Sequence, residues 1–330
     1  MASHITSTNE PYPRPEHVAQ ATTTHRQGNF VITSRKLPIS RAGPIADMEH
    51  ALGIPVPEMI FGDNLVAIRH MATGWSIDFN AYDALNAVDK TDKNMLQVAY
   101  AKSWSASREQ TSAGIKDVVK PYDWSYSSTF RGTETVSPVA LLPPPPFPPP
   151  PGPRPFTEAA PGVSGTSAAS QDTKDEKNAK EKEREELRLA PTNKPIPIEL
   201  LKRKDPILFF DEVMLYESEL DDNGISLFSV KLRVHEHRML LLARLFMRLD
   251  NVVVRIRDTR IYVDFDTEEV TREYTAKELG FNELKRKLLM TGLMPDAIII
   301  AMREANEIAE LLPTVEHTLE SVSLRSGDRR

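Results

Sequence analysis

The stretch that most constrains this chain runs from Ser226 to Asp266. Phe228, Val230, Leu232 and Val234 alternate with Ser229, Lys231 and Arg233, the period of a half-buried strand. The period then changes. From Met239 to Leu249 nine of eleven residues are apolar, interrupted only by Arg244 and Arg248. Read as a helix, such a segment is apolar on nearly every side and must be enclosed by protein. It is too short to cross a bilayer, which takes about 20 apolar residues. Alternation returns after Asp250, with Val252, Val254 and Ile256 on one side and Arg255 and Arg257 on the other. Asp258-Thr259 predicts a turn, and Ile261, Val263 and Phe265 a return strand. A buried helix wrapped by antiparallel strands makes an α+β fold. The expectation is a sandwich-like antiparallel β-sheet core, a buried helix, and flanking C-terminal helices.

The remainder of the composition excludes more than it identifies. Of 330 residues 40% are hydrophobic, enough for one sizeable core. The formal charge of −6 gives no basic field for nucleic acid. With no cysteine there are no disulfides, thiolate zinc sites or cysteine nucleophiles. The N-terminal residues have no apolar run of the signal-peptide kind, and no window reaches transmembrane length. The expectation is a soluble intracellular protein, cytoplasmic and also nuclear, without membrane or nucleic-acid partners.

Taken in order, residues 1–28 are polar and proline-spotted and read as a disordered tail. Phe30–Thr33 predicts a strand, and Asp47–Leu52 a helix ended by Gly53. Gly62-Asp63-Asn64 is turn chemistry, a hairpin or a tight corner. Trp75–Asn80, Leu96–Tyr100 and Tyr122–Arg131 read as strands, and Tyr82–Val88 as a helical turn or two. Composition then shifts. Ten of the fifteen residues from Leu141 to Pro155 are proline, which favours polyproline II and bars a sheet. A mixed charge run follows. Residues 138–194 therefore read as a disordered insertion within one discontinuous domain, 29–137 and 195–313. Past it, Ile207–Glu217 and Ile225–Val234 read as a hairpin joined through Asn223-Gly224. Glu269–Tyr274 reads as an edge strand, and Ala276–Leu289 as a helix. Asp296 caps a final helix running to Leu312, and 314–330 reads as a tail.

No phosphate loop, GxGxxG, GxSxG or HExxH occurs in the sequence. His235 and His237 share one side of a strand, but no third metal ligand accompanies them. No cofactor, metal or catalytic residue is expected. Arg244 and Arg248, four apart, read as ion-paired or as interface positions. Asp78, Asp83 and Asp211 come from separate segments; a hydrolase built on them is one alternative. Tyr122, Trp124 and Tyr126 are packing or interface aromatics. Phe147–Pro151, FPPPP, is a shape that EVH1-type domains accept, so a recruiting scaffold is another alternative.

Six blocks in order carry a more specific signal: PEMIFGDN (57–64), IDFNAYDAL (77–85), VKPYDWSYSSTFRGT (119–133), FFDEVMLYESELDDNGISLFSVKLRV (209–234), LLLARLFMRLDNVVVRIRDTRIY (240–262) and TREYT (271–275). Together they resemble the TIPRL family, also called TIP forty-one, regulators of type 2A protein phosphatases in TOR kinase signalling. The proline-rich insertion lies outside the family core and suggests a fungal-type member. The resemblance implies a non-enzymatic protein with an antiparallel sheet core. It implies binding to the phosphatase catalytic subunit, including its C-terminal tail, and to the TOR-regulated phosphatase-associated protein. It points to Asp83, Ile196, Ile256 and Tyr274 as partner-binding positions. Ile256 departs from members that carry methionine there.

Overall fold

The computed structural model describes residues 13–90, 125–137, 187–220 and 222–325. In chain order the elements begin with α1 (Pro15–Gln20), β1 (Thr22–Gln27), β2 (Phe30–Arg35), α2 (Ala42–Leu52), β3 (Met59–Ile60), β4 (Leu65–His70), β5 (Trp75–Asn80), α3 (Ala81–Asn86) and β6 (Thr133–Val136). They continue with β7 (Ala190–Pro191), α4 (Ile198–Leu201), β8 (Phe209–Ser218), β9 (Gly224–Val234), β10 (Arg238–Leu249), β11 (Val253–Asp264) and β12 (Glu269–Gly280). Three helices, α5 (Phe281–Met290), α6 (Pro295–Ala301) and α7 (Ala305–Ile308), precede β13 (Thr314–Ser323). Among the described residues the strands form two antiparallel sheets. One has five strands in the order β1-β2-β4-β5-β6, the other eight in the order β3-β8-β9-β10-β11-β12-β13-β7. The α+β class and the antiparallel core therefore stand.

The buried helix does not. Met239–Leu249 lies in β10, paired along its length with β9 and β11. The physical reason is that both faces of this strand are covered. Leu241, Ala243, Leu245, Met247 and Leu249 enter the core shared with the five-stranded sheet. Phe246, facing the other way, enters a second core built with the C-terminal helices. A strand buried on both sides loses its polar alternation and reads as a continuous apolar run.

Other boundaries shift for related reasons. Asp258-Thr259 is no turn; β11 runs straight through it, because Asp258 meets Arg244 and Arg260 across and along the sheet. The actual turn follows Asp264, whose Oδ1 accepts from the amides of Asp266 and Thr267 at 3.1 and 2.9 Å. Glu269–Tyr274 is not an edge: β12 extends to Gly280 between β11 and β13, so the expected helix begins only at Phe281. The last helix is two short ones, with Pro295 opening α6. Residues 314–323, expected as a tail, pair with β12. Residues 15–27, expected as disordered, hold α1 and β1. The expected insertion ends early, since Leu187 and Leu189 are in the core and β7 pairs with β13. Tyr122–Arg131 contributes only the bridge of Ser128 to Val88 among its described residues. Leu96–Tyr100 lies outside the described residues.

Local chemistry explains what was read correctly. Gly53 closes α2 in the left-handed conformation at φ 69°. Gly62-Asp63-Asn64 is a corner rather than a hairpin, carrying the chain from the large sheet to the small one. Asn64 fixes it: its amide nitrogen donates to the Met214 carbonyl at 2.7 Å, and its Oδ1 accepts from the Leu37 amide at 2.6 Å. At the β8–β9 hairpin a Cβ on Gly224 would stand 1.9 Å from the Arg248 carbonyl oxygen, so no side chain fits.

One core joins the two sheets. It takes Phe30, Ile68, Trp75 and Phe79 from the small sheet and Val213, Phe228, Leu245 and Ile261 from the large one. This defines an inner face of the large sheet. Its outer face carries the C-terminal helices and, beside them, a charged ladder. Arg244 grips Asp258 through two bonds of 2.7 and 2.8 Å and reaches Asn306 in α7.

Candidate partner-binding surface

By register, Arg255, Arg257, Thr259, Tyr274, Ala276 and Glu278 share the inner face with Val253 and Ile261. Between those two apolar residues the inner face turns from apolar to charged. The segment 125–133 crosses this region. Arg131 lies flat on the Tyr274 ring, its guanidinium carbon 3.9 Å from the ring centre. It also donates to Glu316 at 2.5 Å and to Thr318 at 3.2 Å, both on β13. Arg255 donates to Glu278 at 2.5 and 3.4 Å and to Ser127 at 3.3 Å. Tyr274 is 1% exposed. Burial raises the pKa of its hydroxyl; Arg257 and Arg131 oppose that and Glu316 adds to it. Arg131 is near enough to the hydroxyl to help hold its pKa down, but the hydroxyl makes no hydrogen bond of good geometry.

Two residues along, Thr133 donates its hydroxyl to Asp83 Oδ2. Asp83 sits in the first turn of α3, where Asn80 caps it. Asn80 Oδ1 accepts from the Asp83 amide at 2.8 Å, and Asn80 Nδ2 donates to Asp83 Oδ2 at 2.9 Å. Next to it on the outward side of the small sheet lies Asp78. Burial pushes the Asp78 carboxyl up to about 6, with Arg69 pulling down and Asp83 pushing up. One of its oxygens has no hydrogen-bond partner.

The structure thus brings Tyr274 and Asp83 to one short segment, Arg131–Thr133, and leaves the other two expected positions elsewhere. Ile256 is 1% exposed on the outer face, in the core beneath the C-terminal helices. Ile196 is buried just past β7.

The remaining candidates resolve individually. Arg244 and Arg248 are ion-paired, to Asp258 and Asp250. Asp211 is on the inner face, bonded to Ser34 and Lys36 at 2.5 Å each. Asp78 is on the far side of the five-stranded sheet, because Ile77 and Phe79 point into the core. The three carboxylates therefore form no common site. His235 approaches the Pro206 carbonyl at 2.9 Å and His237 approaches Asp266. Among the described residues no group of three or more His, Cys, Asp or Glu side chains converges as metal ligands do. Tyr126 is buried against Tyr216, whose hydroxyl donates to the Tyr126 carbonyl at 3.0 Å. Tyr122, Trp124 and Phe147–Pro151 lie outside the described residues.

Sequence reasoning missed Arg131, Arg255 and Arg257 as site residues. A signal existed for the last two. They interrupt, twice in succession, the side of the strand that Val253 and Ile261 make apolar.

Comparison with known proteins shows the family. The TIP41-like family model matches residues 59–285. The human TIP41-like protein is 32% identical over 296 residues, covering 89% of this chain and 87% of the relative. The Saccharomyces cerevisiae protein named type 2A phosphatase activator TIP41 is 32% identical over 310 residues, 89% of this chain and 73% of the relative. The Schizosaccharomyces pombe protein of the same name is 28% identical over 281 residues, 85% and 90%. The family match includes strands of both sheets and the segment that joins Asp83 to Tyr274, and the chain belongs to the TIP41-like family.

Proposed function

We propose that this protein is a non-catalytic regulator of type 2A protein phosphatases. It binds the catalytic subunit, including its C-terminal tail, and the TOR-linked phosphatase-associated protein, and so acts in TOR signalling in the cytoplasm and nucleus. The observation that carries the reading is kinship across 89% of the chain to a yeast protein named as a type 2A phosphatase activator. The inner face supports it. An aromatic ring, a guanidinium excess and a crossing segment offer anchors of the kind that hold an extended peptide. Tyr274 lies on that face, and Asp83, on the outward side of the small sheet, is tied to it only through the segment Arg131–Thr133, so we assign both to partner binding. For Ile196 and Ile256, buried packing is the reading their surroundings favour, and their effect on binding would come through the fold.

The effect on the phosphatase is stoichiometric: an occupied surface competes with or remodels other subunits. Affinity capture of the intact protein, with identification of what accompanies it, tests this. A companion variant lacking residues 138–186 separates the reading from a scaffold that works through FPPPP. We expect the phosphatase catalytic subunit with both proteins. Its loss with the deletion, alongside loss of a proline-binding partner, would favour the scaffold.

A further inference from the structure

We propose that the inner face of β11 and β12 is a carboxylate-recognition site, in which Arg257 holds an acidic group of the partner beside Tyr274. The identity of the partner rests on the phosphatase reading; the chemistry of the site does not.

The argument starts from charge. This part of the inner face holds three guanidinium groups, Arg131, Arg255 and Arg257, and two carboxylates, Glu278 and Glu316. Both oxygens of Glu278 are taken by Arg255, and Glu316 is taken by Arg131. Arg257 is half-buried and, among the described residues, makes no hydrogen bond or ion pair. The other face of the same sheet behaves differently. There Arg244, Arg248 and Arg260 each have an acid within 2.9 Å. A half-buried guanidinium without a counter-charge on the inner face is free to take an anion supplied from outside. A second group points the same way. The Tyr274 hydroxyl, diagonally across the register from Arg257, is buried and makes no hydrogen bond of good geometry. Arg257 acts on it electrostatically. A planar guanidinium fork and a phenolic donor are suited to the two oxygens of a carboxylate. Arg131 covers the Tyr274 ring and is held there only from β13, so its displacement would open the hydroxyl to the bound acid.

The acid has two possible sources, the partner's chain end or an Asp or Glu side chain. Three probes distinguish them on the deuterated full chain by nuclear magnetic resonance. They are acetyl-alanyl-alanine as the free acid, the same peptide as the amide, and acetyl-glutamate amide, whose acid is in its side chain. We expect at least one acid to shift the amide resonances of Thr259, Tyr274 and Ala276. The neutral amide should leave them in place, and Arg257→Gln should abolish the shifts. Since Arg257 makes no hydrogen bond or ion pair among the described residues, that variant should unfold at the wild-type temperature or higher. It should bind the phosphatase catalytic subunit about tenfold or more weakly, the loss of one charge-assisted contact. If neither acid moves these resonances in the wild type, or the amide moves them equally, the site is not a carboxylate site. Unchanged phosphatase affinity in Arg257→Gln would also overturn the proposal as a partner contact. If the wild type binds no phosphatase while an acid probe binds through Arg257, the site stands and the phosphatase reading falls.

Discussion

At the scale of single residues, the most informative groups are two carboxylates in opposite circumstances. Asp258 is 5% exposed and bridges Arg244 and Arg260. Asp258→Asn leaves two guanidinium groups facing each other without their acid, and we expect a loss of about 3–5 kcal/mol in urea unfolding. Asp78 is the reverse case. Its folded carboxyl titrates at about 6 against an ordinary value of 3.8. The folded state therefore binds more protons than the unfolded one between these values, and stability falls as pH rises from 4 to 6. Above that range the charged, buried form carries its full penalty, at most about 3 kcal/mol. Asp78→Asn should be more stable than wild type at pH 7, and its unfolding midpoint should be flatter between pH 4 and 6. A variant that keeps the wild-type slope would assign the pH dependence to other groups. At this scale much was legible. Asn223-Gly224 and Gly53 are turn and cap signals that act within a few residues. Tyr274 and Asp83 could be named, but their common contact with Arg131–Thr133 depends on residues about 50 and 140 positions apart in the chain.

At the scale of elements, the sequence conveyed strands and corners well wherever one face meets water. It failed where both faces are covered. β10 presents Leu245 to one core and Phe246 to the other, so neither period survives. β13 failed for the opposite cause. It is a polar outer strand, Thr314 to Ser323, with only Val322 fully buried within it, and nothing local separates it from a tail. Its importance is nonetheless structural, because it covers the edge of β12 and gives β7 its partner. A chain ending at Pro313 would leave β12 an open twelve-residue edge. We expect such a truncation to lower the thermal unfolding midpoint markedly and to increase aggregation. A soluble truncated protein with the full-length midpoint would mean that 314–325 adds nothing to the sheet.

At the scale of the molecule, two stretches separated by some fifty residues contribute to one core, and the segment returning before the gap carries Arg131 onto the inner face of the far sheet. That arrangement gives a surface with anchors and charge. It suits binding, and membership in the TIP41-like family gives the binding a direction. Calorimetric titration of the full chain with a purified type 2A phosphatase catalytic subunit measures the proposed binding itself. We expect saturable binding at one to one, weakened by Tyr274→Ala in a variant that remains folded. A flat titration, or wild-type affinity after that substitution, would contradict it.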